Sequence, residues 1–255
     1  MLLKENINYC FLFLIALCIG CANKSLKTER IQAETVRIDQ TIPTDTVIAA
    51  YIAPYKQRID TIMDGTLAYA PKALSKKDSR YNTAIGNMMA DAVYELANPI
   101  FQKRANHPFD AVLLNYGGIR APLNQGAVTT RTAFNIMPFE NEIVVVELSS
   151  NHIKELFAYL ERGIAHPISG MTIALDTQGQ LAKTQIQGQG IKDDKTYFIA
   201  TTDYLQQGGD RMDFLTEPIS KITLDYKMRN VLIDYFKKYD TIAPVVDDRF
   251  TKAVQ

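Results

Sequence analysis

Apolar and polar positions divide the chain into segments of recognisable period. Ile85, Met88, Met89, Ala92, Val93 and Leu96 recur at helical spacing, and Asn98-Pro99 is expected to bend or end that helix. A second stripe, Ile153, Leu156, Phe157 and Leu160, follows Ser149 and Ser150, either of which can cap it, with Gly163 as its expected stop. Met228, Val231, Leu232, Tyr235 and Phe236 predict a last helix over about Leu224–Tyr239. Asp45 is placed to cap a helix carrying Ile48, Ile52, Ile59 and Met63 on one face. Strands are expected above all at Ile143–Leu148, where Ile and Val run together, and also at Thr66–Ala70, Ala111–Leu114 and Tyr197–Thr201. Met171–Asp176 and Leu181–Gln187 flank Gln178-Gly179 as a hairpin. One more short strand is expected at Glu34–Ile38, and Ser75–Arg80 reads as a polar loop. Helices and strands alternate irregularly, and a hairpin is present. That pattern predicts an α+β fold with a mixed sheet, not a doubly wound parallel one.

The first residues carry a different pattern. Lys4 precedes an apolar run from Phe11 to Gly20, too short to span a membrane and suited to an export signal. Leu17-Cys18-Ile19-Gly20-Cys21 resembles a bacterial lipobox, in which Cys21 becomes the acylated first residue. The expected organisation is a lipoprotein signal peptide at 1–20, a polar tether at 21–43 and a folded domain at 44–255. The chain would then be exported and lipid-anchored to a bacterial membrane, facing the periplasm or exterior. Cys10, Cys18 and Cys21 are its three cysteines, so the domain must hold together without a disulfide. Lys plus Arg and Asp plus Glu number 28 each, which leaves no global basic field to recruit nucleic acid.

Candidate chemistry sits in two glycine loops. Ala111–Leu114 runs into Asn115-Tyr116-Gly117-Gly118-Ile119-Arg120, and Tyr197–Thr201 runs into Asp203-Tyr204-Leu205-Gln206-Gln207-Gly208-Gly209-Asp210. Paired glycines let a ligand approach the backbone, and asparagine and arginine supply donors suited to polar and phosphate groups. Alone, the first loop reads equally as a tight turn with a surface arginine. Phe139 and Tyr204, each beside such a loop, can sandwich a planar ring, although an aromatic residue taken singly more often belongs to a core. Asp210 can bond a ribose diol and Arg120 a phosphate, and together these groups describe a nucleotide pocket. No paired-histidine metal spacing, Gly-x-Ser-x-Gly elbow or Walker-type loop is present. His107, His152 and His166 read as surface residues.

Four segments in order carry a resemblance: Ile85–Ala92, Asn115–Arg120, Met137-Pro138-Phe139-Glu140-Asn141, and Thr202–Tyr204 with Gly208-Gly209-Asp210. Over about Ser75 to Leu215 the chain resembles the C-terminal, substrate-binding domain of the 5'-nucleotidase / UDP-sugar hydrolase family. The resemblance implies a four-layer α/β/β/α sandwich with mixed sheets. It implies Asn115 and Arg120 as substrate ligands, Phe139 and Tyr204 as a base clamp and Asp210 on the ribose hydroxyls. Gly117, Gly118, Gly208 and Gly209 form the loops of that site, and Arg80 is the candidate for an arginine that precedes the Gly-Asn helix start. The second clamp residue is usually Phe and is Tyr204 here; the residue after Gly-Gly-Asp is usually Gly and is Arg211 here. Family members also carry a metallophosphatase domain with a two-metal site, and neither its metals nor its general acid has a counterpart in this sequence. The expectation is therefore a nucleotide-recognition component, with no cofactor of its own and divalent metals on a separate metallophosphatase-domain partner. The alternative is a lipid-anchored nucleotide- or nucleoside-binding protein without catalytic activity.

Overall fold

The computed structural model describes residues 27–253; Cys21 and the expected lipidation site lie outside them. The chain divides near Ala50, and the fold below is that of the unit from Tyr51 onward. Residues 27–45 carry no helix or strand, so the strand expected at Glu34–Ile38 is absent. Those residues are exposed, and an isolated extended segment without a partner leaves its backbone to water. Helix α1, Thr46–Met63, begins where expected: the Asp45 carboxylate accepts from the Val47 and Ile48 N–H groups at 2.9 and 3.0 Å. Its apolar residues nevertheless stay exposed, Ile59 at 56% and Ile62 at 64%. Its last turn is tied down by Arg131, which donates to Asp60 and Asp64.

Strand β1 (Thr66–Ala70) leads through the polar loop to α2 (Ala84–Ala105), then β2 (Ala111–Leu113), β3 (Gly126–Thr129), α3 (Thr130–Ile136), β4 (Glu142–Leu148) and α4 (Ser150–Leu160). Next come β5 (Ile168–Ser169), β6 (Met171–Leu175), β7 (Leu181–Ile186), β8 (Gln189–Gly190), β9 (Tyr197–Thr202) and the short α5 (Asp203–Gln206). The chain closes with β10 (Ser220–Lys227), α6 (Met228–Lys238) and β11 (Phe250–Lys252). Three sheets result: β1-β3, a central β10-β4-β9-β2-β5 and a smaller β11-β6-β7-β8. Both larger sheets are mixed, with β2 parallel to β9 and β11 parallel to β6 among antiparallel neighbours.

Period-two alternation puts the central sheet between two cores. Val112, Ile143, Val145 and Ala200 face α2, α3 and α6, whose Ile85, Met88, Val93, Val231 and Phe236 are fully buried. Leu113, Val146, Leu148 and Ile199 face the other way, onto the smaller sheet and the α4 stripe of Ile153, Leu156, Phe157 and Leu160. The expected α/β/β/α layering is thus the observed one.

Two boundaries differ from expectation. Helix α2 continues through Pro99 to Ala105 and ends at Asn106, in the left-handed region at φ 64°. Interior proline costs about 3 kcal/mol, but the turn beyond it buries Phe101 completely, which offsets a loss of that size. The last helix begins at Met228, because Ile222, Leu224 and Tyr226 alternate on β10, which pairs with β4. Leu224 is buried from that strand and not from a helix.

Candidate functional site

Sheet topology brings three loops to one end. β2 and β9 are parallel neighbours, with Val112 opposite Ala200, so the loops leaving their C-terminal ends emerge side by side. β4 runs antiparallel to β9, with Ile143 opposite Thr202, so the segment entering β4 arrives at that same end. The three loops carry Asn115–Arg120, Asp203–Asp210 and Pro138–Asn141. They enclose a cleft of about 240 Å³ lined by Asn115, Gly117, Gly118, Arg120, Phe139, Asn141, Tyr204 and Asp210. Phe139 and Tyr204 present their rings there at 41% and 44% exposure, out of any core.

Each loop is held by identifiable contacts. Asn115 is buried, and its amide donates to Asp210 Oδ2 at 2.7 Å. Gly118 leaves room beside it, because a Cβ there would lie 2.8 Å from Asn115 Oδ1 and displace that side chain. Lys76 donates to the Ile119 carbonyl at 2.7 Å and stands over the Tyr116 ring. Burial, with Arg120 nearby, lowers the Lys76 pKa. Arg120 itself donates to the Gly117 carbonyl at 3.3 Å, and its guanidinium lies 5.7 Å from the Phe139 ring centre. The Phe139 loop is anchored from below: Arg229, mostly buried, donates to the Pro138 carbonyl and to Glu140, and Lys227 also pairs with Glu140. These partners, Lys227 first, hold the Glu140 pKa down at about 2.

Asp203 ties two of the loops together. Its Oδ1 accepts from the Glu142 N–H at 3.0 Å and from the Tyr204 N–H at 2.8 Å. Tyr204 in turn donates its hydroxyl to Asp210 Oδ1 at 3.0 Å, and that bond is the main cause raising the tyrosine pKa. Gly209 lets the Tyr204 ring lie down, since a Cβ at this position would meet the ring at 2.5 Å. Gly208 supplies the left-handed turn at φ 88°.

The sequence that builds these loops matches a known family. Residues 63–217 fit the family model of the 5'-nucleotidase, C-terminal domain. The chain belongs to that family. It is 23% identical over 246 residues to the trifunctional nucleotide phosphoesterase protein YfkN of Bacillus subtilis, covering 88% of this chain and 16% of that protein. It is 22% identical over 224 residues to a 5'-nucleotidase of Vibrio vulnificus, covering 83% and 38%. In fold it resembles the 5'-nucleotidase precursor from Thermus thermophilus, with a TM-score of 0.66 at 20% identity over 84% of this chain and 44% of that one. The chain therefore spans less than half the length of these relatives.

Within this family domain, Asn115, Gly117, Gly118, Arg120, Phe139, Tyr204 and Asp210 are brought together, while Gly208 and Gly209 shape the loop behind them. Arg80 stands apart from that lining; its guanidinium lies over the Tyr81 ring. From the polar loop, Lys76 braces the Ile119 carbonyl outside that lining, and Asn141, the end of the Met137–Asn141 segment, joins the lining. Of the three histidines expected at the surface, one is buried. His166 is 5% exposed beside Tyr159, and its Nδ1 accepts from the Tyr116 N–H at 3.2 Å. His107 is half-buried against Phe198, and His152 is half-buried. Among the described residues no group of three or more His, Cys, Asp or Glu is placed to hold a metal. The donor set here does not fit a metallophosphatase centre.

Proposed function

We propose that this chain is the nucleotide-recognition part of a 5'-nucleotidase-type phosphohydrolase, with the metal-dependent chemistry on a separate chain. The observation that carries the proposal is the single cleft shared by Phe139, Tyr204, Arg120, Asn115 and Asp210. Two half-exposed aromatic rings at one opening suit a planar base, for which stacking is worth roughly 1–3 kcal/mol. Asp210 offers carboxylate lone pairs to ribose hydroxyls, and Arg120, exposed beside Phe139, offers a fork to phosphate. A domain of this kind contributes by orienting substrate.

The exposed apolar face of α1, from Tyr51 to Ile62, supports a protein partner over free nucleotide capture. Among the described residues no helix is long and apolar enough to cross a membrane, and the proposed attachment is a lipid on Cys21 after export. The test is titration of the purified chain with adenosine 5'-monophosphate, followed by phosphate release with and without a metallophosphatase that copurifies. Binding alone, with turnover on adding the partner, is the expected result. Arg120→Ala removes a charge-assisted contact of about 1.5–3 kcal/mol, a loss of roughly 10- to 100-fold in efficiency. Binding with no partner-dependent turnover favours the lipid-anchored binding protein. Phosphate release by the isolated chain overturns the assignment.

A further inference from the structure

Beyond Asp210 the surface opens into a second cleft of about 270 Å³, lined in part by Tyr159, Arg162, His166 and Arg211. Gly117 and Asp210 line both clefts, so the two adjoin along that wall. Arg162 and Arg211 are both exposed, and the arginine ion pairs among the described residues belong to Arg104, Arg131, Arg229 and Arg249. Arg162 rests on the Tyr159 ring at 4.9 Å, which orients its guanidinium without neutralising it. Arg211 sits at φ 62°, in the left-handed region that glycine enters freely and an arginine does not. A long cationic side chain kept in a strained backbone position points to a use for that side chain.

His166 forms the buried wall behind both arginines. Its Nδ1 accepts from the Tyr116 N–H, which fixes the ring against the first loop, and Tyr159 packs beside it. Burial lowers the His166 pKa to about 4, which keeps the ring neutral. Asp210 is the carboxylate in this lining, and its oxygens already accept from Asn115 and Tyr204. Two guanidiniums outside any ion pair among the described residues, sharing one open lining, suit a phosphate.

We propose that the second cleft binds a phosphate carried on the ribose 2' or 3' oxygen, so that the preferred ligand is a nucleoside bisphosphate. This rests on the nucleotide reading of the first cleft. There Asp210 faces the ribose hydroxyls, and a substituent on those hydroxyls passes Asp210 into the second cleft. Arg120 lines the first cleft, so the two phosphates meet separate cations.

The experiment is calorimetric titration of the full chain with adenosine 5'-monophosphate, adenosine 3',5'-bisphosphate and adenosine 2',5'-bisphosphate. One bisphosphate should bind about 10- to 100-fold more tightly than the monophosphate, with a preference that shrinks as salt rises. Arg162→Gln and Arg211→Gly should each erode that preference and leave monophosphate affinity unchanged. Arg162→Gln stands as the control for any effect of Arg211→Gly on its neighbour Asp210. Bisphosphates that bind no better than the monophosphate, or a preference that survives both substitutions, overturn the second site and leave the first standing. Failure of all three ligands to bind overturns both.

Discussion

Replacing Asp203 by alanine severs a side chain that fixes the distance between the two aromatic loops. Asp203 Oδ1 takes the Glu142 N–H at the start of β4 and the Tyr204 N–H at the start of α5. The first bond is part-buried, so losing its charged acceptor leaves a poorly hydrated N–H at a cost of about 1.5–2 kcal/mol. The second is exposed, and water replaces the carboxylate there for less than about 1 kcal/mol. Together the loss is about 2–3 kcal/mol, or roughly 5–10 °C in melting temperature for a domain of this size. Asp203→Asn keeps an oxygen that accepts both bonds without the charge, and should lose about half as much. Denaturant unfolding measures both variants, and nucleotide titration should show affinity falling in the same order. An alanine variant within about 0.5 kcal/mol of the parent, or an asparagine variant no better than alanine, refutes the bridging role.

Gly209→Ala sets a methyl group 2.5 Å from the Tyr204 ring and 2.6 Å from the Tyr204 carbonyl. The ring must move, so stability should fall by about 1–3 kcal/mol and nucleotide affinity with it, whereas Gly65→Ala, which meets nothing, should stay within about 0.5 kcal/mol. Equal effects at the two glycines would contradict this packing. Burial also lowers the His166 pKa from 6.5 to about 4, so the unfolded chain takes that proton first as pH falls. The contribution is full above pH 6.5 and drains away toward pH 4, by roughly 3 kcal/mol. Unfolding of the parent and His166→Gln at pH 7 and 4.5 checks it: their stability difference should shift by about 2–3 kcal/mol in favour of the variant at low pH, and parallel behaviour excludes the titration.

What could be read from the sequence depended on whether one segment carried its own signal. Ile143–Leu148 and the Ile153–Leu160 stripe announce a buried strand and a one-sided helix, and both form as expected. Asn115–Arg120 and Gly208–Asp210 were legible as loops because glycine pairs and polar ends mark them locally. Their convergence was not, since it follows from β2, β9 and β4 lying side by side, a long-range pairing. The β10–α6 boundary blurs for a related reason. Leu224 fits a helical stripe with Met228 as well as a strand alternation with Ile222 and Tyr226, and only pairing with β4 decides between them. His166 looked like a loop residue before proline; Tyr159, arriving from α4, and the buried backbone around it make it part of the interior.

Tyr204 is more than an exposed ring. Its hydroxyl reaches Asp210 Oδ1, while Asn115 holds Oδ2, so the carboxylate is fixed from both sides. The Asp210 backbone is itself left-handed, at φ 55° and ψ 20°, and its carbonyl accepts from the Tyr159 hydroxyl at 2.9 Å. An ionised carboxylate has about four lone-pair positions, and two hydrogen bonds leave about two free, enough for a vicinal diol. A ligand in the proposed pose thus meets an acceptor already oriented, and binding does not have to order it. The same hydrogen bond joins the aromatic face to the acidic group: displacing the Tyr204 ring releases Asp210, and displacing Asp210 releases the ring. In the proposed pose, the ring that stacks on a base and the carboxylate that meets the ribose are thus one mechanical unit.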